Sequence, residues 1–154
     1  MRNPTDTRSE AQRLTHRVTA GDVEHGGSAS AHVKSELTRL GVGEGDARRA
    51  GIVAFEGEMN LIVYAKEGGA LTVDVAERWI DITVEDTGPG IEDVELALTP
   101  GYSTAPEWAT NLGFGAGLGL NNMQRISDRF EIESTVGKGT RIRCRIARRT
   151  DAAS

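Results

Sequence analysis

Residues 113–120 read Gly-Phe-Gly-Ala-Gly-Leu-Gly-Leu, and they lead into a helical pattern that carries Met123, Ile126 and Phe130. Alternate glycines before a helix expose backbone N–H groups, and the helix dipole adds positive potential at the same end. The stretch therefore indicates a phosphate-binding loop, although close packing or loop movement explains the glycines equally well when the stretch is taken alone. It lacks the G-K-[ST] ending of a Walker loop and the βαβ surroundings of a dinucleotide-binding fingerprint.

A second glycine cluster, Asp86-Thr-Gly-Pro-Gly90, directly follows a strand pattern over residues 80–85. Gly88 and Gly90 allow the backbone to turn sharply and approach a planar ligand. The Asp86 carboxylate can accept a hydrogen bond from an exocyclic amine such as that of adenine. An ordinary Asx turn explains the same residues, so the pattern alone does not decide between the two.

A third cluster, Glu56-Gly-Glu-Met-Asn60, lies within a long helical pattern. Glu56 and Asn60 are four residues apart and therefore share one helix face. Asn60 offers a neutral amide oxygen suited to Mg²⁺, and Glu56 offers a carboxylate that can act as a general base. Glu58 points about 160° away from Glu56 on an ideal helix, and we expect it at the surface. Such a pair is usually a solvated helix face, but here apolar residues flank it.

The composition is typical of one soluble domain, with 38% apolar and 27% charged residues in a chain of 154. The longest apolar run, residues 61–65, is far shorter than the ~20 residues that span a bilayer, and the polar start has no signal-peptide pattern. We therefore expect a cytoplasmic protein without a membrane partner. The lone Cys144 excludes an intramolecular disulfide and a cysteine-based zinc cluster.

Charge is unevenly distributed, since residues 51–100 contain 11 acidic and 2 basic side chains. Such a block is either a solvated face or a source of the oxygen ligands that Mg²⁺ takes. Arg141, Arg143 and Arg145 alternate with apolar residues, which favours the outer face of a strand over a nucleic-acid site. We therefore expect no direct contact with nucleic acid.

Hydrophobic periodicity predicts helices over residues 28–40, 45–65, 93–98 and 118–129, and strands over residues 17–23, 71–75, 79–84, 130–135 and 140–147. Residues 99–112 have no clear period, which indicates a mobile lid. The order predicts an α+β fold, a two-layer sandwich with helices on one face of a mixed, mostly antiparallel sheet. We expect a flexible leader over residues 1–14, the folded domain over 15–148 and a tail over 149–154.

The order of these motifs resembles the ATP-binding (Bergerat) fold of the GHKL superfamily, which includes gyrase, the ninety-kilodalton heat-shock chaperone, histidine kinases and mismatch-repair ATPases. The resemblance covers residues 17–147 and ends with Gly137-Lys-Gly-Thr140 before the last strand. The chain length, Glu56 at the start of the helix motif and Gly101-Tyr-Ser-Thr104 in the lid are most similar to the anti-sigma-factor-type serine/threonine kinases, and among these to the stressosome switch kinases.

The resemblance implies that ATP and Mg²⁺ are the cofactors, that Glu56 is the catalytic base and that Asn60 is the Mg²⁺ ligand. The residues it implies on the adenine side are Asp86, Gly88, Gly90 and Thr140. The residues it implies along the phosphates are Gly113, Gly115, Gly117, Leu118 and Gly119.

The chain departs from many relatives in its lid, because no Lys or Arg lies between Ile91 and Gln124. Many relatives keep a basic lid residue on the terminal phosphates. Charge stabilisation would otherwise rest on Mg²⁺ and backbone N–H groups. Lys66 and Arg125 are candidate replacements, unless they are only solvated surface side chains.

The leading hypothesis is therefore an ATP-dependent kinase that phosphorylates a Ser or Thr of a STAS-domain antagonist protein. The alternative is a nucleotide-gated anti-sigma factor or adaptor that binds its partner with little or no catalysis. The expected partner is the STAS-domain antagonist or a sigma factor, and family resemblance makes a homodimer plausible. A detached histidine-kinase domain is less favoured, because the contexts His16-Arg17, His25-Gly26 and His32-Val33 do not match the acidic-partnered box of a phosphorylated histidine.

Overall fold

The computed structural model describes residues 12–111 and 117–149, which form a five-stranded sheet and five α-helices. The strands are β1 (Gln12–Val18), β2 (Gly69–Val75), β3 (Trp79–Asp86), β4 (Arg129–Thr135) and β5 (Gly139–Ala147). The helices are α1 (Ser28–Arg39), α2 (Glu44–Val63), α3 (Val94–Ala97), α4 (Glu107–Asn111) and α5 (Gly119–Ile126). The strand order is β1-β2-β3-β5-β4, and every neighbouring pair in the described sheet is antiparallel.

The core lies between one face of this sheet and the helices. Side chains on β2, β3 and β5 alternate between a buried and a more exposed face, as expected for a sheet covered on one side. The buried sheet residues include Leu71, Val73, Ile80, Ile82, Ile142 and Ile146. The helix residues that join them in one cluster include Val33, Leu37, Val53, Leu61 and Ile62. The predicted two-layer α+β architecture is confirmed.

The opposite face of the sheet carries charged side chains. Arg145 donates two hydrogen bonds to the Asp81 carboxylate at 2.8 and 3.0 Å, and Arg141 donates to Glu85 at 3.1 Å. This confirms that the arginine alternation in β5 is the outer face of a strand. Cys144 lies on the buried face, where burial raises the pKa of its thiol to about 11.

The first strand lies earlier than predicted, at Gln12–Val18 instead of residues 17–23. It pairs with β2 along its whole length, and Arg13 donates a 2.7 Å hydrogen bond to Asp74 across the pair. Gly21 has a φ of 77°, a left-handed conformation that belongs to a turn. The strand therefore begins inside the segment predicted as a flexible leader, because pairing with β2 orders a sequence that has little apolar periodicity of its own.

Glu58 is buried, so its predicted surface position is wrong. Its side chain is 2% exposed and accepts hydrogen bonds from the backbone N–H groups of Gly27, Ala29 and Ser30 at 3.0–3.1 Å. These groups belong to the N-terminus of α1, where backbone N–H groups lack partners within the helix and positive potential favours a carboxylate. Glu58 therefore caps α1 from the side of α2 that faces away from Glu56.

Two short helices occupy the segment between β3 and α5. Asp93 caps α3 by accepting a hydrogen bond from the Leu96 N–H at 3.1 Å. Helix α4 falls inside residues 99–112, which were predicted to lack regular structure, and its Ala109 is buried. Across the described part of the chain, no helix is both long and apolar enough to cross a membrane.

Candidate nucleotide-binding site

A cavity of about 940 Å³ opens between α2, the end of β3, the start of β5 and the first residues of α5. It is of the size that small-molecule sites usually have. Eight of the eleven predicted site residues line it: Glu56, Asn60, Asp86, Gly90, Gly117, Leu118, Gly119 and Thr140. Gly88 is buried beside the cavity, and Gly113 and Gly115 lie outside the described residues. The fold thus brings four separate segments of the sequence to one place.

Helix α2 brings Glu56 and Asn60 to one wall of the cavity. Gly57 allows this helix to lie directly on the sheet, because a Cβ at this position would come within 2.5 Å of Val84 Cγ2. The Glu56 side chain is half-buried, and burial raises its pKa while a hydrogen bond from Asn122 acts in the opposite direction. General bases are often carboxylates that line a cavity and have a raised pKa.

Asp86 lies at the last position of β3, where its carboxylate borders the cavity. Its Oδ1 accepts a hydrogen bond from the Gly88 N–H at 2.9 Å, so the Asx turn considered for this sequence is present. The turn and the ligand-binding interpretation are compatible, since a carboxylate has about four acceptor sites and this hydrogen bond uses one. The turn orients the carboxylate that the cavity exposes.

Thr140 stands opposite Asp86 in the register of β3 and β5, and it is 7% exposed. Its Oγ1 is 2.8 Å from Ser134 Oγ, which also accepts a 2.6 Å hydrogen bond from the Ile91 N–H. Ser134 therefore joins the ends of β4 and β5 to the loop after Gly90. Sequence reasoning missed Ser134, and the signal that could have found it is its cross-strand position opposite Thr140.

Two hydrogen bonds attach the lid loop to the elements around the cavity. The Gly101 N–H donates to the Gly117 carbonyl at 3.1 Å, and the hydroxyl groups of Tyr64 and Ser103 are 2.7 Å apart. Gly117 has a φ of 80°, and a Cβ there would collide with the backbone of Tyr102. The lid loop and the start of α5 therefore meet through a contact that only glycine permits.

Among the described residues that line the cavity, four are acidic and none is Lys or Arg. Arg125 instead donates a 3.1 Å hydrogen bond to Asn122 Oδ1, and Lys66 is exposed in the loop after α2. Neither residue lines the cavity. Within the described ranges, His, Cys, Asp and Glu also form no cluster that could hold a metal ion on its own.

The oxygen atoms that Glu56 and Asn60 offer to the cavity fit Mg²⁺ bound together with a nucleotide. Mg²⁺ takes oxygen ligands and usually binds through one or two protein groups plus phosphates and water. Asn60 supplies an amide oxygen and Glu56 a carboxylate on the same wall of the cavity. The acidic lining would repel several phosphate charges, and a cation bound with them would reduce this repulsion.

Comparison with known proteins agrees with this geometry. Residues 45–150 match the family described as histidine kinase-, DNA gyrase B-, and HSP90-like ATPases. The chain is 34% identical over 106 residues to the serine/threonine-protein kinase RsbT of Bacillus subtilis (strain 168), which covers 67% of this chain and 74% of that protein.

Two anti-sigma F factors are also similar. That of Caldanaerobacter subterraneus subsp. tengcongensis is 40% identical over 92 residues, and that of Pasteuria penetrans is 35% identical over 94 residues. Each alignment covers 57% of this chain, and the chain spans 61% and 59% of the two relatives' own lengths. Because the family model matches more than half of the chain, and because the cavity joins its motifs in one site, this protein belongs to the GHKL family of histidine kinase-, DNA gyrase B- and HSP90-like ATPases.

Proposed function

We propose that this protein is an ATP-dependent serine/threonine kinase of the anti-sigma-factor type, which phosphorylates a STAS-domain antagonist protein. The observation that carries the proposal is the half-buried Glu56 carboxylate on the cavity wall, one helical turn from Asn60. A relative whose name is serine/threonine-protein kinase, aligned over 106 residues, supports the same activity.

In this proposal Glu56 acts as the general base. The hydroxyl oxygen of the acceptor Ser or Thr attacks the γ-phosphorus, and the bond from that phosphorus to the β,γ-bridging oxygen breaks. The hydroxyl proton passes to the Glu56 carboxylate, and ADP leaves. Phosphoryl transfer depends mainly on positioning and on stabilisation of charge, so a carboxylate held on a rigid helix suits the reaction.

Asn60 would hold Mg²⁺ through its amide oxygen. The ion supplies charge neutralisation on the phosphates, which no Lys or Arg provides among the described residues that line the cavity. Asn60 is fixed by its place in the last turns of α2, so its side chain and Glu56 face the same volume.

The adenine side would be formed by the end of β3 and the start of β5. Asp86 would accept a hydrogen bond from the exocyclic amine, and Thr140 would support this side through its hydroxyl. Gly88 and Gly90 would shape the pocket wall, since a Cβ at Gly88 would lie 3.2 Å from both Asp86 Oδ1 and the backbone nitrogen of Lys66.

The phosphates would follow the loop before α5 and the N-terminus of that helix. The residues proposed for this part are Gly113, Gly115, Gly117, Leu118 and Gly119. Backbone N–H groups at the start of an eight-residue helix offer hydrogen-bond donors and positive potential to phosphate oxygens.

The remaining assignments belong to the same proposal. The partner would be a STAS-domain antagonist or a sigma factor, the protein would act in the cytoplasm, and a homodimer would be compatible with it. The kinase domain, predicted over residues 15–148, would also include residues 12–14, which belong to β1, with residues 149–154 as a tail.

The proposal is tested by incubating the protein with Mg²⁺, γ-labelled ATP and an extract of its own source organism. We expect acid-stable label on a small second protein, and we expect no label when Glu56→Ala replaces the wild type. Acid-labile label would indicate a phosphohistidine and would contradict the proposal.

The alternative is a nucleotide-gated binding module that performs little chemistry. It is favoured by the lack of Lys and Arg among the described residues that line the cavity. It predicts that a partner is retained in the presence of ADP and that no label is transferred, with ATP binding intact. The same incubation therefore separates the two functions.

A further inference from the structure

One face of α2 carries three polar side chains along the cavity wall. Glu56, Asn60 and Tyr64 are spaced four residues apart, so they lie on successive turns of this face, and all three line the cavity. Tyr64 is the C-cap of the helix, and its backbone N–H donates a 2.9 Å hydrogen bond to the Asn60 carbonyl. The Tyr64 side chain therefore extends from a backbone that the helix holds in place.

The Tyr64 hydroxyl contacts the lid, of which the structure describes residues 99–111. Tyr64 Oη is 2.7 Å from Ser103 Oγ, the usual distance of an O–H···O hydrogen bond. Ser103 Oγ also accepts a 3.1 Å hydrogen bond from the Ala105 N–H. A serine hydroxyl has one donor and two acceptor positions, so it can make both contacts at once. Ser103 is thus held by α2 on one side and by its own chain on the other.

The lid is joined to the start of α5 at a second point, where the Gly101 N–H donates to the Gly117 carbonyl at 3.1 Å. Among the described residues, the Tyr64–Ser103 contact is the only hydrogen bond between the lid and α2. The segment from Gly101 to Ser103 therefore connects the start of α5 with the end of α2. Residues 102–104 all line the cavity, so this segment forms part of its wall.

From this geometry we infer that Tyr64 is a positioning residue, whose hydroxyl holds the lid in a fixed place over the bound nucleotide through Ser103. The lid and the groups proposed for catalysis are then placed by one rigid element, because Glu56, Asn60 and Tyr64 share a face of α2. The inference rests on the proposed function for its ligand, which is ATP. It gives a role to two hydroxyl groups that the proposed function does not use.

The physical reason is that the lid has few other connections to the rest of the protein. Several of its hydrogen bonds stay within it, such as that from the Tyr102 N–H to the Thr99 carbonyl at 3.1 Å. Gly101, Tyr102 and Thr104 are exposed. A segment with exposed residues and few outside contacts opens at a low free energy. Loss of one hydrogen bond of ordinary net strength is expected to make this opening about 2- to 10-fold more frequent.

The first test is amide hydrogen exchange, measured by NMR on the protein without nucleotide. Tyr64→Phe keeps the ring and removes only the hydroxyl, and Ser103→Ala removes the other partner. The readout is the Gly101 N–H, because neither substitution changes its own hydrogen bond to Gly117 and that bond breaks when the lid leaves the cavity. We expect this amide to exchange about 2- to 10-fold faster in both variants.

The matched control is Thr110→Ala. It also removes a hydroxyl from the lid, but the 3.0 Å hydrogen bond of this hydroxyl ends at the Glu107 carbonyl within α4. We expect wild-type exchange at Gly101 from this variant.

The second test is the dissociation of a fluorescent ATP analogue bound with Mg²⁺, followed after addition of unlabelled ATP. We expect the dissociation rate constant to rise about 2- to 10-fold in Tyr64→Phe and in Ser103→Ala. The double variant should dissociate no faster than either single variant, because both substitutions remove the same hydrogen bond. Thr110→Ala should release the analogue at the wild-type rate.

Unchanged exchange at Gly101 in Tyr64→Phe would overturn the inference. Additive effects of Tyr64→Phe and Ser103→Ala on dissociation would also overturn it, since each hydroxyl would then contact the nucleotide separately.

Failure of the proposed function is distinguishable from failure of the inference. If the wild type binds the analogue but transfers no label to an acceptor protein, the kinase proposal fails, while faster exchange and faster dissociation in the variants still support the inference. If the wild type transfers label and the variants match it in exchange and dissociation, only the inference fails. If the wild type does not bind the analogue, both fail.

Discussion

The two faces of α2 place two glutamates in opposite roles. Glu58 faces the N-terminus of α1, where three backbone N–H groups surround its carboxylate and its side chain is 2% exposed. Glu56 faces the cavity, where its pKa is raised by burial and one amide hydrogen bond opposes this. A glutamate is thus structural on one face of α2 and chemically available on the other. The backbone N–H groups of α1 satisfy the Glu58 carboxylate, whereas the Glu56 carboxylate faces an open cavity.

The largest effect is expected from removing the carboxylate on the cavity face. Glu56→Gln should lower phosphoryl transfer by a factor of about 10²–10⁴, the usual contribution of a general base, while the protein stays folded. The measurement is kcat on the acceptor protein together with ATP binding. Glu44→Gln is the matched control, since Glu44 is exposed in the first turn of the same helix. Full activity of Glu56→Gln would remove the distinction between the two faces.

The next largest effect is expected on stability, when the Glu58 carboxylate on the opposite face of α2 is removed. Glu58→Ala leaves three N–H groups at the start of α1 without their acceptor. We expect the free energy of unfolding to fall by roughly 3 kcal/mol, because buried donors lose hydrogen bonds to a charged group. Urea denaturation measures this change, and Glu44→Ala should cost well under 1 kcal/mol. Equal losses for the two variants would mean that Glu58 is not a cap.

A smaller effect is expected from crowding Glu56 without removing it. Gly119→Ala introduces a Cβ 2.9 Å from Glu56 Oε2, and the end of the glutamate side chain can move aside. We expect about a tenfold fall in phosphoryl transfer, as for a misplaced catalytic group, with stability nearly unchanged. Gly45→Ala is the control, because nothing lies within 4 Å of a Cβ at that helical position.

The smallest effect concerns the pH dependence of stability. Burial raises the pKa of Glu56 above its ordinary 4.5, so the folded protein binds this proton more tightly than the unfolded chain does. The free energy of unfolding therefore falls as pH rises through the interval between the two pKa values. We expect Glu56→Gln to be slightly more stable than the wild type at pH 7 and equal to it below pH 4. Thermal unfolding at the two pH values measures the difference, and equal stability at pH 7 would contradict the assigned shift.

Most of the architecture could be predicted from sequence because its elements have strong apolar periodicity. The helices at 28–40 and 45–65 and the central strands agree with the structure within a few residues. Strand β1 was misplaced because an edge strand is ordered by its neighbour. Its pairing with β2, including the contact of Arg13 with Asp74, does not appear in the local pattern.

The candidate site was predictable to the extent that single residues carry its chemistry. Glycines at turns, a carboxylate at a strand end and a Glu/Asn pair on one helix face are visible along the chain, and six of these residues line the cavity together with Leu118 and Thr140. Ser134 was missed because its importance comes from partners that the fold brings to it, the Thr140 hydroxyl across the β4–β5 pair and the Ile91 N–H from 43 residues earlier in the chain.

The sequence by itself determined the α+β class, the order of its motifs and the chemistry of the side chains at Glu56, Asn60 and Asp86, since these depend on periodicity and residue type. Only the tertiary structure decided which polar side chains have their hydrogen bonds made within the fold. Helical spacing correctly separated Glu58 from Glu56, but what lies beyond each face of α2 depends on packing. The N-terminus of α1 meets Glu58, whereas Glu56 meets a cavity and one amide, and this difference in surroundings separates a structural carboxylate from a proposed catalytic one.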